Sequence, residues 1–279
     1  VSGLFYVYAP YHALDIYVRG DVAEFWAYAF IPLAFLGLYK RSLIVGSLGF
    51  AGVILSHNLT ALMVAPFLLI AGLLLIIFSK KETRIHNTLY IILYTFLGLA
   101  LSAFYWIPAL LEMKYTNVLS QVGGGADFRD HFVCLSQLWS SQWGFGGSAK
   151  GCIDGLSFMI GKLHILMTGL VLVLFLFGRL KQHKGIILFS LISLLLSLFL
   201  MLEASKFVWE MIPAMAFFQY PWRFLTLVSF FSSLLAGSLV VLSSSFKIKP
   251  YWLAFPLIAL LLFFNIKLFV PQTIFPAKA

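Results

Sequence analysis

Uninterrupted apolar stretches constrain the fold of this chain more than any other feature of its sequence. Each is close to the roughly 20 residues that a helix needs to cross a bilayer, and the runs do not alternate as the strands of a membrane barrel do. Because the bilayer core holds no water to satisfy backbone amides, such segments cross it as helices. The sequence predicts an all-α, polytopic transmembrane helical bundle of about eight spans. The predicted spans are 22–39, 42–56, 61–78, 88–110, 163–178, 185–202, 222–243 and 251–270.

The scarcity of charge supports the same interpretation. Only 10% of the residues are charged, whereas a soluble domain carries about 25%, so water is not the main solvent of this chain. The shortest predicted span, 42–56, contains Gly46, Gly49 and Gly52. Small residues at such spacing allow helices to approach closely in a membrane. We therefore expect this span to pack inside the bundle.

The positive charges fall in every second connection between the predicted spans. About half of the 19 Lys and Arg residues lie in these connections, which the positive-inside rule places in the cytoplasm. The net charge of +9 then reflects orientation in the membrane and gives no reason to propose a nucleic-acid partner. The basic connections are 40–41, 80–84, 179–184 and 247–249.

This topology places the largest loop, 112–161, outside the cytoplasm. We expect a single transmembrane domain over 1–279 that includes this extracytoplasmic loop and an interfacial segment at 5–21. Cys134 and Cys152 both fall in the loop. An oxidising compartment permits a disulfide, but their spacing leaves a bridge and two free thiols equally open.

Charged residues gather just before the first span. Asp15 and Arg19 are four residues apart and face each other on a helix, and Asp21 and Glu24 follow them. One interpretation is an amphipathic helix that lies in the membrane interface with its charges in water. The other is a groove that faces a substrate.

Polar residues also mark the outer ends of two later spans. His57 turns the chain between two apolar helices, and Gln219, Trp222 and Arg223 begin the span at 222–243. A histidine at this depth is expensive unless it has a partner, although a hydrogen-bonded turn residue is the simpler explanation. Arg223 can reach lipid headgroups or bind a phosphate with its planar fork of donors. Together with Arg19 and Glu24, these residues predict a shared polar site.

Established catalytic motifs are missing from the sequence. It contains no phosphate-binding loop, nucleophile elbow, zinc-protease motif or dinucleotide fingerprint. We therefore expect no cofactor and assign no metal ligands, and a divalent metal is left without support. A cytoplasmic nucleotide enzyme is disfavoured.

Several segments, taken in order, resemble a known family. YAPYHALDIYVRGDVAEFWAYAFIPL, LSHNLTAL, WGFGGSAKGCIDGLSFMIG and FFQYPWRFL resemble the bacterial membrane domain named 6-pyruvoyl-tetrahydropterin synthase-related, which is similar to YfhO-type proteins. The resemblance covers about residues 5–225. Nothing in the sequence supports pterin chemistry.

The resemblance implies a member of the GT-C group of glycosyltransferases. Such enzymes take a sugar from a polyprenyl-phosphate donor and transfer it on the outer side of the membrane. Their catalytic carboxylate lies in the first outer loop, and because this chain starts with Val1, we expect an N-terminally truncated fragment that lacks that loop. Glu24 and Asp15 are then the candidate catalytic carboxylates.

The substrate-binding candidates follow from the same resemblance, and two other functions compete with it. The expected setting is the bilayer of a bacterial cytoplasmic membrane, with a lipid-linked sugar as partner. A non-catalytic transporter or flippase of lipid-linked substrates would use the same polar pocket, and a structural subunit would have no substrate. The candidate residues for donor binding are Arg19, His57, Gln219, Trp222 and Arg223.

Overall fold

A computed structural model describes residues 1–180, 183–241 and 249–270 of the chain. The described residues are mainly helical and contain no strand, which confirms the all-α prediction. Parts of two basic connections, 181–182 and 242–248, lie outside the described residues, as does 271–279. The helices are α1 (Ser2–Val7), α2 (Pro10–Leu14), α3 (Val22–Lys40), α4 (Leu43–Ser56), α5 (Asn58–Ile77), α6 (Lys81–Leu101), α7 (Ala103–Leu111), α8 (Leu135–Trp139), α9 (Lys162–Leu176), α10 (Lys184–Met201), α11 (Lys206–Met211), α12 (Leu225–Val241) and α13 (Pro250–Asn265).

Five of the described helical segments are long and apolar enough to cross a membrane, and a sixth candidate is a bent pair. The number is lower than the predicted eight because α4 and α9 have only 14 and 15 residues. At 1.5 Å per residue, α4 is about 21 Å long, shorter than a hydrocarbon core of about 30 Å. The five segments are Val22–Lys40, Asn58–Ile77, Lys184–Met201, Pro221–Val241 and Pro250–Phe269.

The bent pair replaces the straight span predicted at 88–110. Helices α6 and α7 meet at Ser102 with a bend of 71°. The Ser102 hydroxyl donates to the carbonyl of Gly98 at 2.9 Å, and the Trp106 indole donates to the carbonyl of Leu99 at 2.9 Å. These side chains satisfy carbonyls where the backbone ladder is interrupted, as a bend in an apolar helix requires.

The chain divides into two compact units. The first unit comprises 1–19, 131–205 and the residues from 222 onward, and the second comprises 20–130 and 206–221. The expected outer loop is therefore split, with 112–130 in the second unit and 131–161 in the first. The single domain expected over 1–279 stays a prediction.

In the second unit, α3 and α4 form an antiparallel hairpin. Gly37 lies against Gly46, and further along the pair Gly49 lies against the backbone of Ala34. Gly52 lies beneath the ring of Phe30. These contacts confirm that the glycines of α4 allow close packing within the unit.

Helix α6 runs parallel to α4 in the same unit. The ring of Tyr94 covers Gly46, and Gly98 contacts the ring of Phe50. From the first contact to the second, the residue number rises by four in both helices, so the helices run in the same direction and begin at the same end. The basic residues at 40–41 and 80–84 therefore lie at one end of this unit, as the predicted topology requires.

In the first unit, α12 is the central helix. Its span is 72% buried, compared with 11% for the span that contains α13. Phe5, Leu163, Ala236 and Leu261 form a buried cluster around it. The segment before residue 20 belongs to this core, because α1 and α2 both pack against α12.

Residues 131–161 of the first unit are held by a disulfide and by a carboxylate. Cys134 and Cys152 form a bridge with their Cα atoms 5.6 Å apart, which resolves the alternative that the sequence left open. Asp154 accepts hydrogen bonds from Gln137 and Ser141, each at 2.7 Å. Partial burial opposes ionisation of Asp154, but these bonds and one from the backbone of Gln142 outweigh it and lower the pKa of Asp154. The bridge and the carboxylate together connect separate parts of this loop.

Candidate functional site

The first group of candidate residues surrounds Arg19 in the first unit. A π-helical turn, Asp15–Arg19, follows α2. The side chains of its first and last residues, Asp15 and Arg19, are in contact. Arg19 Nη1 donates to the carboxylate of Asp15 and, at 2.9 Å, to the hydroxyl of Tyr11. The guanidinium lies 4.8 Å from the centre of a Trp222 ring, a favourable cation–π distance. We call Tyr11, Asp15, Arg19 and Trp222 the Arg19 cluster.

The Arg19 cluster is buried. Asp15 has no exposed side-chain surface, and the side chain of Arg19 is 10% exposed. The charges of Asp15 and Arg19 therefore do not lie in water on the surface of an amphipathic helix. Because its carboxylate already binds Arg19, Asp15 is better suited to hold the guanidinium than to accept a proton from a substrate.

Trp222 links this cluster to the outer loop. Its indole N–H donates to the Ser148 hydroxyl at 2.9 Å, and Ser148 in turn lies 2.8 Å from His131 Nδ1. The Trp222 ring also packs near Phe158. The sequence predicted Trp222 but not Ser148 or His131, because their contacts depend on how the loop folds.

Arg223 follows Trp222 in the first unit and is 8% exposed. An arginine that reached lipid headgroups would be exposed, so the burial of Arg223 does not fit that interpretation. Phosphate binding by Arg223 stays a prediction. Gln219 belongs to the second unit and has a φ of 63°. Its backbone N–H bonds to the carbonyl of Ala216 at 3.1 Å, so its clearest role is to end a 3₁₀ turn.

The second group of candidate residues lies in the second unit, where α3 begins and α4 ends. Asp21 caps α3, and its carboxylate accepts the backbone N–H of Glu24 at 3.0 Å. His57 is the only residue between α4 and α5, and its Nδ1 lies 2.7 Å from the Thr60 hydroxyl. The ligand atoms of Asp21, Glu24 and His57 all lie within 4.8 Å of one another. We call these three residues the carboxylate–histidine cluster.

The hairpin geometry explains this second cluster. Because α3 and α4 are antiparallel, the start of α3 meets the end of α4. This end of the unit is opposite the basic residues at 40–41 and 80–84. Glu24 is fully buried, while Asp21 and His57 are half-buried. A buried carboxylate beside an imidazole can exchange protons or hold a cation.

Of the residues predicted from the sequence, the structure therefore brings together two sets. Asp15, Arg19 and Trp222 meet in the first unit, and Glu24 and His57 meet in the second. Tyr11 was missed, although its spacing of four residues from Asp15 was a usable signal.

Comparison with protein families gives a match over most of the chain. The sequence model of the family described as "Bacterial membrane protein YfhO" matches residues 26–276. His57, Trp222 and Arg223 lie within the match, whereas the segment from Tyr11 to Glu24 precedes it. Neither the link to a pterin-synthase-related domain nor the expected truncation is supported by this match.

Searches of curated proteins and of solved structures gave no match. The family match covers most of the chain, and several helices are apolar and long enough to cross a bilayer. The protein is thus a multi-pass bacterial membrane protein in contact with lipid. The chain belongs to the bacterial membrane protein YfhO family.

Proposed function

We propose that this protein acts as a membrane glycosyltransferase that moves a sugar from a polyprenyl-phosphate donor on the outer face of the bacterial cytoplasmic membrane. The observation that carries the proposal is the burial of ionisable side chains in a chain with only 10% charged residues. Asp15 and Glu24 are fully buried, and Arg223 is 8% exposed. Such residues are expensive in a membrane protein and mark functional sites.

The chemistry of sugar transfer requires the residue types that are buried here. The acceptor hydroxyl attacks the anomeric carbon, the bond from that carbon to the phosphate oxygen breaks, and the bonding electrons leave with the phosphate. The hydroxyl proton passes to a carboxylate, and cations stabilise the departing phosphate. Within the second unit, Glu24 is the candidate carboxylate. Arg19 and Arg223, in the first unit, stay candidates from the sequence for phosphate binding. His57 is a further candidate donor to the phosphate.

The position of Glu24 supports transfer on the outer face. It lies at the end of the α3–α4 hairpin opposite the basic residues, which the positive-inside rule assigns to the cytoplasm.

Asp15, which binds Arg19, holds that guanidinium in place. The remaining Arg19 cluster residues, Tyr11 and Trp222, place aromatic rings beside the charge.

The test is transfer of labelled sugar from polyprenyl-phosphate donors by membranes that contain the protein. We expect Glu24→Gln to lower the rate by about 10²-fold or more, because it removes the proton acceptor. We expect Arg223→Ala to lower it by about 10²–10³-fold, because it removes charge stabilisation of the leaving phosphate. Both variants should insert in the membrane at wild-type levels.

Matched controls make the same changes at exposed positions. Glu112→Gln and Arg129→Ala alter exposed side chains outside both clusters and should keep wild-type transfer. Transfer that is indifferent to Glu24→Gln and Arg223→Ala would contradict the proposal. Absence of transfer with every donor tested would favour the transport or structural alternatives.

A further inference from the structure

The carboxylate–histidine cluster has the composition of a metal site. Two carboxylates and one imidazole come from two separate positions in the chain, the start of α3 and the α4–α5 junction, and their ligand atoms lie within 4.8 Å of one another. We propose that Asp21, Glu24 and His57 bind a first-row divalent transition metal ion, of the Zn²⁺ or Mn²⁺ class. The sequence does not indicate this metal site, because Asp21 and His57 are 36 residues apart.

Electrostatics favour a cation at this position. Carboxylates held close together repel each other, and the repulsion is stronger where burial lowers the local dielectric. Glu24 is fully buried and Asp21 only half-buried, so solvent screens their charges incompletely. A divalent ion between them would make an attractive contact with each carboxylate.

The distances are compatible with coordination after small side-chain rotations. Oxygen and nitrogen ligands lie about 2.0–2.2 Å from Zn²⁺, so ligand atoms around one ion are roughly 3–4 Å apart. The cluster is already within 4.8 Å. To coordinate one ion, the most separated of these atoms would have to approach by about 1–2 Å.

Thr60 supplies the support that a histidine ligand needs. Metal-bound imidazoles usually donate their second ring N–H to an acceptor, which fixes the ring orientation. His57 Nδ1 lies 2.7 Å from the Thr60 hydroxyl oxygen, so an Nδ1–H can donate there while Nε2 binds the ion. The Thr60 backbone N–H also approaches His57 Nδ1, at 3.3 Å, as the N-cap contact of α5.

The mixed ligand set indicates the class of ion. Ca²⁺ prefers six to eight oxygen ligands and Mg²⁺ retains several waters, whereas imidazole nitrogen suits zinc and other transition metals. Three protein ligands leave at least one coordination position open, as in catalytic zinc sites. A phosphate oxygen of the donor is the ligand class that fits this open position.

This catalytic use of the ion rests on the proposed function, but ion binding itself does not. Glu24→Gln lowers transfer whether Glu24 accepts the proton or binds the ion, so only the binding measurement tests the metal site.

Metal binding is measured on the purified full chain in detergent, stripped with a chelator and titrated separately with Zn²⁺ and Mn²⁺. We expect one ion per chain in the wild type. Binding should weaken at least about 10-fold in Glu24→Gln and in His57→Gln, because each variant removes one of three ligands. Glu112→Gln and His86→Gln, which change exposed residues, should bind as the wild type does.

A second measurement does not depend on the variants being folded. X-ray absorption of the zinc-loaded wild type should show one imidazole nitrogen together with oxygen ligands. No bound ion, an ion shell without imidazole, or equal binding by folded cluster variants would overturn the site.

Binding and sugar transfer are read separately. An ion held by the cluster in a protein without transfer activity would support the metal site and contradict the proposed function. Transfer by a protein that binds no ion would support the proposed function and overturn the metal site.

Discussion

At the scale of single residues, Asp15 and Arg19 form a buried ion pair in the first unit. Its side chains are 0% and 10% exposed, so neither charge is well hydrated. Breaking a buried ion pair by removing one partner typically costs about 3–5 kcal/mol, because the other charge is left buried. We expect Asp15→Asn to destabilise the protein by roughly 3 kcal/mol on this basis.

The control for this prediction is an ion pair of the same type at the surface. Arg129 and Glu210 are 47% and 44% exposed and lie 3.2 Å apart, and exposed pairs contribute about 0–1 kcal/mol. Thermal unfolding in detergent should therefore show a much larger loss for Asp15→Asn than for Glu210→Gln. Equal losses would mean that the Asp15 carboxylate contributes no more than a surface charge.

Residue-scale prediction from the sequence succeeded where the spacing is local and failed where it is not. The four-residue spacing of Asp15 and Arg19 predicted their contact, which the π-helical turn preserves. Ser148 approaches Trp222 across 74 residues of chain, and no helical period encodes such a contact. His57 and Glu24 were both singled out as polar, but only the hairpin register shows that they meet.

At the scale of elements, the packing of α4 depends on its glycines. A Cβ at Gly49 would collide with the backbone of Leu33 and Ala34, which cannot move as a flexible side chain can. We expect Gly49→Leu to separate α3 from α4 and to destabilise the protein by at least about 1–3 kcal/mol, the usual cost of overpacking. It should also reduce any metal binding by the carboxylate–histidine cluster, which the same hairpin positions.

Gly169→Leu in α9 is the matched control. Nothing lies within 4 Å of a Cβ at this glycine, and leucine has a higher helix propensity than glycine. Its melting temperature should equal or exceed that of the wild type. A stable Gly49→Leu variant with unchanged melting would show that the helices are not in close contact at that point.

The lengths of the elements were harder to predict than their existence. Hydropathy cannot register the bend at Ser102, since the residues on both sides of it are apolar. The sequence likewise could not show that α4 and α9 stop short of spanning length, because helix ends are set by caps such as His57, whose imidazole approaches the backbone N–H of Thr60. Composition defines apolar segments, and local hydrogen bonds define where helices end.

At the scale of the whole molecule, the proposal that the site lies on the outer face depends on how the helices are oriented in the membrane. Helices α4 and α6 of the second unit begin at the same end, and both are preceded by basic residues, as the positive-inside rule requires of cytoplasmic ends. The disulfide between Cys134 and Cys152 is consistent with an oxidising compartment for the loop at 131–161.

Orientation is tested by labelling single cysteines in intact cells with a membrane-impermeant thiol reagent, in a background where Cys134 and Cys152 are serine. Ser120 lies in the 112–130 part of the loop and Thr83 in the first turn of α6, and both are exposed. We expect Ser120→Cys to react from outside, because the topology places its loop there. Thr83→Cys should react only after the cells are permeabilised. The reverse pattern would move the carboxylate–histidine cluster to the cytoplasmic end of the α3–α4 hairpin, where a lipid-linked donor on the outer face could not reach it.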